Sequence, residues 1–166
     1  IRDRSTTMRI VSLLTSATEL LCTIGGESLL VGRSHECDHP GSISHLPVLT
    51  RQRTGAGTSA EIDAEVKESL ARGDSLYELD GDLLRELEPD LVLTQDLCEV
   101  CSIDLDTVRS IAGSMKPEPR VLSLDPRTIF DVFDDLLKVG EAAGRSAEAE
   151  RAMVDLRASY WEAIDF

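Results

Sequence analysis

Aromatic side chains make up only 4% of this chain, and no apolar run approaches the ~18 residues that a membrane-spanning helix requires. A transmembrane helix is thereby excluded. Positive charge is also scarce: 17 Lys and Arg stand against 31 Asp and Glu, a formal net charge of -14. Nucleic acids and anionic membranes are held largely by basic side chains, so the balance argues against both as partners. There is no Gly-x-Gly-x-x-Gly run, no Gly-x-x-x-x-Gly-Lys-Ser/Thr run and no Gly-x-Ser-x-Gly elbow, which removes the usual signatures of dinucleotide binding, P-loop chemistry and serine hydrolysis. Four cysteines, Cys22, Cys37, Cys98 and Cys101, are too few and too scattered for a disulfide-built scaffold.

What remains is ordinary globular composition, 42% apolar and 29% charged over 166 residues, enough for one domain with a real core. The sequence starts at Ile1, and Ile1 to Thr7 is polar without pattern, as expected where a targeting peptide has been removed.

Strand-like and helix-like segments alternate. Arg9 to Leu14, Leu29 to Arg33, Leu91 to Thr94 and Arg120 to Leu124 are short and apolar and read as four buried strands. Ser16-x-x-Glu19 and Thr58-x-x-Glu61 have capping-box spacing and predict helix starts, the second helix placing Ile62, Val66 and Leu70 at intervals of four. Cys22 falls in the first helical pattern and reads as a small core residue, with Gly25-Gly26 ending that helix. A short helix precedes Pro89, another spans Asp104 to Ala112, and a third follows Asp125-Pro126 with Ile129, Val132, Phe133, Leu136 and Leu137 on one face. A last helix from Ser146 presents Ala149, Met153, Leu156, Tyr160 and Trp161. Ser34 to Gly57 has no period and reads as a long loop, a length that in compact domains is usually functional. This alternation predicts an α/β fold: a parallel sheet of about four strands, helices on both faces and right-handed crossovers.

Two loops carry ligand-type chemistry. Ser34-His35-Glu36-Cys37-Asp38-His39-Pro40 follows the second strand, and Gln95-Asp96-Leu97-Cys98-Glu99-Val100-Cys101 follows the third. In an open parallel sheet both emerge at the strand C-termini, where ligands bind. His35, Cys37, Cys98 and Cys101 together would form a Cys3His set suited to zinc, and the thiolates suit an iron-sulfur cluster. The same cysteines also admit a dithiol-disulfide pair of Cys98 and Cys101 with Cys37 resolving, or loop cysteines and capping histidines without partners. Arg51 and Arg53 can grip a carboxylate or phosphate, or simply be solvated. The acidic residues spread over helix faces as solvated surface, not as a carboxylate catalyst.

Ile10-Val11-Ser12-Leu13-Leu14-Thr15-Ser16-Ala17-Thr18-Glu19, then Val31 to Asp38, then Pro89-Asp90-Leu91-Val92-Leu93-Thr94-Gln95, resembles the cobalamin and iron-siderophore substrate-binding proteins of ABC transporters. The resemblance implies two α/β lobes joined by one long helix, with the ligand in the cleft between them. On it, residues 1–8 are a tail, 9–145 the N-terminal lobe and 146–166 the start of the inter-lobe helix, the second lobe being absent. It implies a non-enzymatic binding protein for a cobalamin-like or iron-chelate ligand, delivered to ABC transporter membrane subunits from a periplasmic or other extracytoplasmic compartment. Ser16, Thr18, Glu19, Arg51, Arg53, Gln95 and Asp96 are then the candidate ligand contacts, with His35, Cys37, Cys98 and Cys101 at a metal. The resemblance is closest to a branch carrying His-Glu-Cys-Asp and Gln-Asp-Leu-Cys-x-Val-Cys. The alternative is a cytoplasmic or organellar protein that reuses the fold for cysteine, metal or iron-sulfur chemistry, or as a subunit of a larger assembly.

Overall fold

The protein is described by a computed structural model, which covers residues 7–53, 57–72, 75–96 and 103–165. Four parallel strands, β1 (Ile10–Ser12), β2 (Leu30–Arg33), β5 (Leu91–Gln95) and β6 (Arg120–Leu124), form a sheet in the order β2-β1-β5-β6. Their residues are mostly buried, the near-continuous apolar pattern expected of a parallel sheet covered on both faces. Register runs Val11 to Val92 and Leu93 to Leu122 without interruption from β1 through β5 to β6.

Because side chains alternate along a strand, the sheet feeds two cores. On one face Ile10, Leu30, Leu91, Leu93 and Leu124 pack under α1 (Thr15–Thr23) and α5 (Ile129–Ala142). On the other, Val11 and Val92 pack with Leu84 of α3 (Gly81–Leu87) and Val108 of α4 (Leu105–Gly113). Each fully buried Leu or Val contributes about 1.5–3 kcal/mol. Close approach favours glycine at Gly26, Gly32 and Gly140, the last two where separate elements meet. A β-carbon on Gly32 would fall 2.5 Å from Leu49 Cδ1 and 2.7 Å from Leu87 Cδ1, and one on Gly140 would overlap the Ala149 β-carbon.

The aperiodic stretch after β2 is less loop-like than its sequence suggests. It holds a 3-10 turn at Gly41–His45 and then β3 (Thr50–Gln52), which pairs antiparallel with β4 (Tyr77–Leu79) to make a second, two-stranded sheet. Between those strands lies α2 (Ser59–Arg72), whose Thr58 capping box forms, with Glu61 Oε2 accepting from the Thr58 amide at 2.7 Å. Its apolar side is not deeply buried, Ile62 being 37% exposed.

Two helix expectations need correction. The Ser16 box does not form: α1 begins at Thr15 with Leu14 as its uncapped N-cap, which places Ser16 and Glu19 exposed within the helix. In α6 (Ser146–Ile164), Ala149, Met153 and Tyr160 face inward, whereas Leu156 and Trp161 are 37% and 49% exposed. A helix turns about 100° per residue, so Tyr160 and Trp161 cannot share a face.

Candidate functional site

In the order β2-β1-β5-β6 the chain first steps from β1 to β2 on one side and later to β5 on the other, which makes the β1/β5 pair the switch point of the sheet. The loops leaving two such strands diverge to opposite faces and open a crevice at the C-terminal edge. A cavity of about 30 Å3 lies there, bounded by Leu14 and Thr15 after β1, His35 and Glu36 after β2, and Gln95 at the end of β5. Thr50 of β3 and Tyr77 of β4 close its flank.

The loop bearing His35 is held from below. Arg33 donates to the carbonyls of Ser34 (3.2 Å), Cys37 (3.0 Å) and Ser44 (3.2 Å), bringing three points of the loop onto one guanidinium. Backbone bonds Ser34 N to Ser12 O (2.9 Å) and Leu49 N to Arg33 O (2.9 Å) tie the same loop to β1 and to the chain ahead of β3. The imidazole of His35 is thereby set against Thr50, with Nδ1 2.6 Å from Thr50 Oγ1, and its ring centroid lies 5.6 Å from that of Tyr77. The Tyr77 hydroxyl donates to Glu36 Oε1 at 3.3 Å. His35 Nε2 is shielded from solvent and has no hydrogen-bond partner among the described residues.

Cys37 is placed differently. It is completely buried in the core beneath α1, with Sγ 3.1 Å from Thr18 Oγ1, while Thr18 also meets Ser12 Oγ at 2.8 Å and the Leu14 carbonyl at 3.1 Å. Burial pushes the Cys37 thiol up, against the opposing pull of the Thr18 hydroxyl. Tyr77, against which His35 stacks, belongs to the core on the other face of the sheet. His35 and Cys37, two residues apart, are thus turned toward opposite cores. Among the described residues no three His, Cys, Asp or Glu side chains gather closely enough to hold a metal ion. Cys98 and Cys101 lie outside the described residues, so the Cys3His set stands as a sequence expectation for that half.

The other expected contacts divide similarly. Gln95 reaches the cavity, and Asp96 beside it is exposed. Thr18 is structural, and Ser16 and Glu19 are solvent-facing, with Thr15 the α1 residue that borders the cavity. Strand alternation sends Thr50 to the crevice and Arg51 away from it. Arg51 pairs with Glu78 (2.8 Å) along a separate groove of about 540 Å3, and Arg53 is exposed. Thr50 and Tyr77 escaped sequence reasoning. The alternation Leu49-Thr50-Arg51 was the only local trace of β3.

No protein-family model matches the chain, and no curated protein matches it. Solved structures do match. A periplasmic heme-binding protein from Pseudomonas aeruginosa is 24% identical with a TM-score of 0.68, over 96% of this chain and 47% of that one. The periplasmic heme-binding protein RhuT from Roseiflexus sp. RS-1 is 20% identical with a TM-score of 0.70, over 96% and 50%. The periplasmic vitamin B12 binding protein BtuF of Vibrio cholerae is 16% identical with a TM-score of 0.62, over 93% and 48%. This chain spans about half the length of each, and shares the fold of that half.

Proposed function

We propose that this chain is one lobe of an import-type binding protein that holds a metal-bearing small molecule, heme-like, cobalamin-like or an iron chelate, over the C-terminal edge of its sheet. The observation that carries the reading is the crevice at the β1/β5 switch point, lined by His35, Thr50, Tyr77 and Gln95. The fold shared with heme-binding and vitamin B12 binding proteins supports the ligand class. In this reading α6 begins the connection to a second lobe, the ligand lies between lobes, and the loaded protein docks on ABC transporter membrane subunits in an extracytoplasmic compartment.

The chemistry needed is binding alone. Arg33 fixes the loop, Thr50 and Tyr77 fix the His35 ring, and Gln95 and Thr15 border the same space, so the ligand meets a prearranged surface and little ordering entropy opposes binding. Zinc or an iron-sulfur cluster at Cys98 and Cys101 is a sequence-based second role, subordinate to small-molecule binding.

Titration of the purified protein with hemin, cyanocobalamin and ferric citrate, followed by ligand absorbance and Trp161 fluorescence, tests the reading. Saturable binding of one of them is expected, weakened about tenfold by loss of the His35 hydrogen-bonding group in His35→Phe. Absence of saturable binding of all three up to about 1 mM, an affinity too weak for a carrier, overturns it.

A further inference from the structure

The carboxylates of this chain outnumber what the fold can pair. Against 31 Asp and Glu stand 17 Lys and Arg, so 14 acids would lack an opposite charge even if every base met one. A net charge of about 2–8 is enough to keep a small domain soluble, and this excess goes well beyond it. Among the described residues Asp135 is the one fully buried carboxylate, and Lys138 answers it at 2.8 Å. The others lie at or near the surface.

The ion pairs do not offset that excess. Lys67–Asp63, Arg72–Glu68, Arg85–Asp82 and Arg151–Glu148 join residues three or four apart on one helix, and Arg51–Glu78 and Arg127–Asp125 are exposed. Surface pairs of this kind stabilise a fold only slightly. The acids are also set where they repel one another. Glu61, Glu65 and Glu68 follow at spacings of four and three along α2, and Asp131 stands three and four residues before Asp134 and Asp135 in α5. A helix C-terminus favours cations. Yet α1, α4, α5 and α6 have no basic residue in their last turns, and exposed Glu141 and Glu162 fall in those of α5 and α6.

Ionic strength decides how much of this repulsion is felt. The screening length is ~10 Å at 0.1 M and ~3 Å at 1 M. Side chains three or four apart on a helix stand about 5–6 Å from each other, between those two lengths. Their repulsion therefore acts in dilute salt and fades in molar salt. Salt weakens the ion pairs as well, but these are weak already and fewer than the acids in excess, so the balance favours the folded state.

We infer that this fold is built for concentrated salt: a diffuse layer of monovalent cations over its carboxylate surface completes its stability, which falls as ionic strength drops. The layer is held by the summed field and by no single cluster, in keeping with the lack of any metal-holding group of three acids, histidines or cysteines among the described residues. It is independent of the ligand proposed above.

Thermal melts followed by circular dichroism in 0.1–2 M KCl test it. Tm should rise by about 5–10 °C across that range, most of the gain coming by about 1 M, and NaCl should act as KCl does. In the double variant Glu141→Lys/Glu162→Lys the self-repulsion, which scales with the square of the net charge, falls by roughly half. That variant should melt above wild type in 0.1 M KCl and gain about half as much from added salt. A wild-type Tm that stays flat or falls with salt overturns the inference. So does a variant that keeps the full wild-type gain, because the effect would then belong to salt acting on apolar surface. A strong preference between K+ and Na+ would mark a discrete site and overturns the diffuse layer.

Discussion

Replacing Gly140 by alanine puts a β-carbon onto the β-carbon of Ala149, where α5 meets α6. The new methyl would also stand 3.2 Å from the Arg145 carbonyl and 3.7 Å from Ala149 Cα, so every neighbour is backbone or a methyl fixed to it. Nothing flexible can yield, and α6 must move. Overpacking of this kind costs about 1–3 kcal/mol. Against it, removing a helical glycine gains up to ~1 kcal/mol of intrinsic propensity, less near a helix end. The expected balance is a loss of about 1–2 kcal/mol, a fall in Tm of roughly 3–6 °C for a chain of this size. Urea melts followed by circular dichroism measure it. The companion Ala149→Gly removes the opposing methyl, which is fully buried, and is destabilising alone. In the double variant the clash is gone, so the two changes should couple favourably by about 1–2 kcal/mol. A Gly140→Ala protein more stable than wild type, with strictly additive behaviour in the double variant, would refute the close α5–α6 contact.

Two titration predictions follow from local environments. Burial first, then the charge of Glu27, pushes the Cys22 thiol from an ordinary 9.0 to about 11. Its thiolate fraction near pH 8 is therefore lowered about 100-fold, and peptide mapping after iodoacetamide should show correspondingly slow labelling of Cys22 in the folded protein against the urea-unfolded one. Because the folded value is raised, the associated stability is complete below pH 9 and is lost as pH rises from 9 toward about 11, a slope that Cys22→Ala should remove. Asp131 has the opposite sign: amides of Arg127 and Thr128 and the Thr128 hydroxyl hold its carboxyl below the usual carboxylate range. Its contribution is present above that range and is lost as pH falls through it, so Asp131→Asn should lower Tm near neutrality and flatten the acid side of the stability profile.

Electrostatics and site fit together at the level of the whole chain. A net charge of -14 disfavours anions at long range.

Local patterns carried the architecture. Four apolar runs separated by helical periods are enough to imply a parallel sheet, because short buried strands and 3.6-residue amphipathicity are properties of neighbouring residues. The edge where His35 and Gln95 both emerge was legible for the same reason, since strand direction follows from the alternation alone. The Thr58 box formed because Thr58 and Glu61 need only each other. What failed or went unseen depended on distant chain. Thr50 meets His35 from 15 residues away, and Tyr77 reaches Glu36 from 41 residues away, through a two-stranded sheet whose members are three residues each, too short to show a period. His35 and Cys37 looked like members of one ligand set because they are neighbours in the chain. The tertiary structure parts them, one toward Thr50 and Tyr77 and the other beneath α1 against Thr18, because residues beside a sheet edge are claimed by whichever core lies on their side.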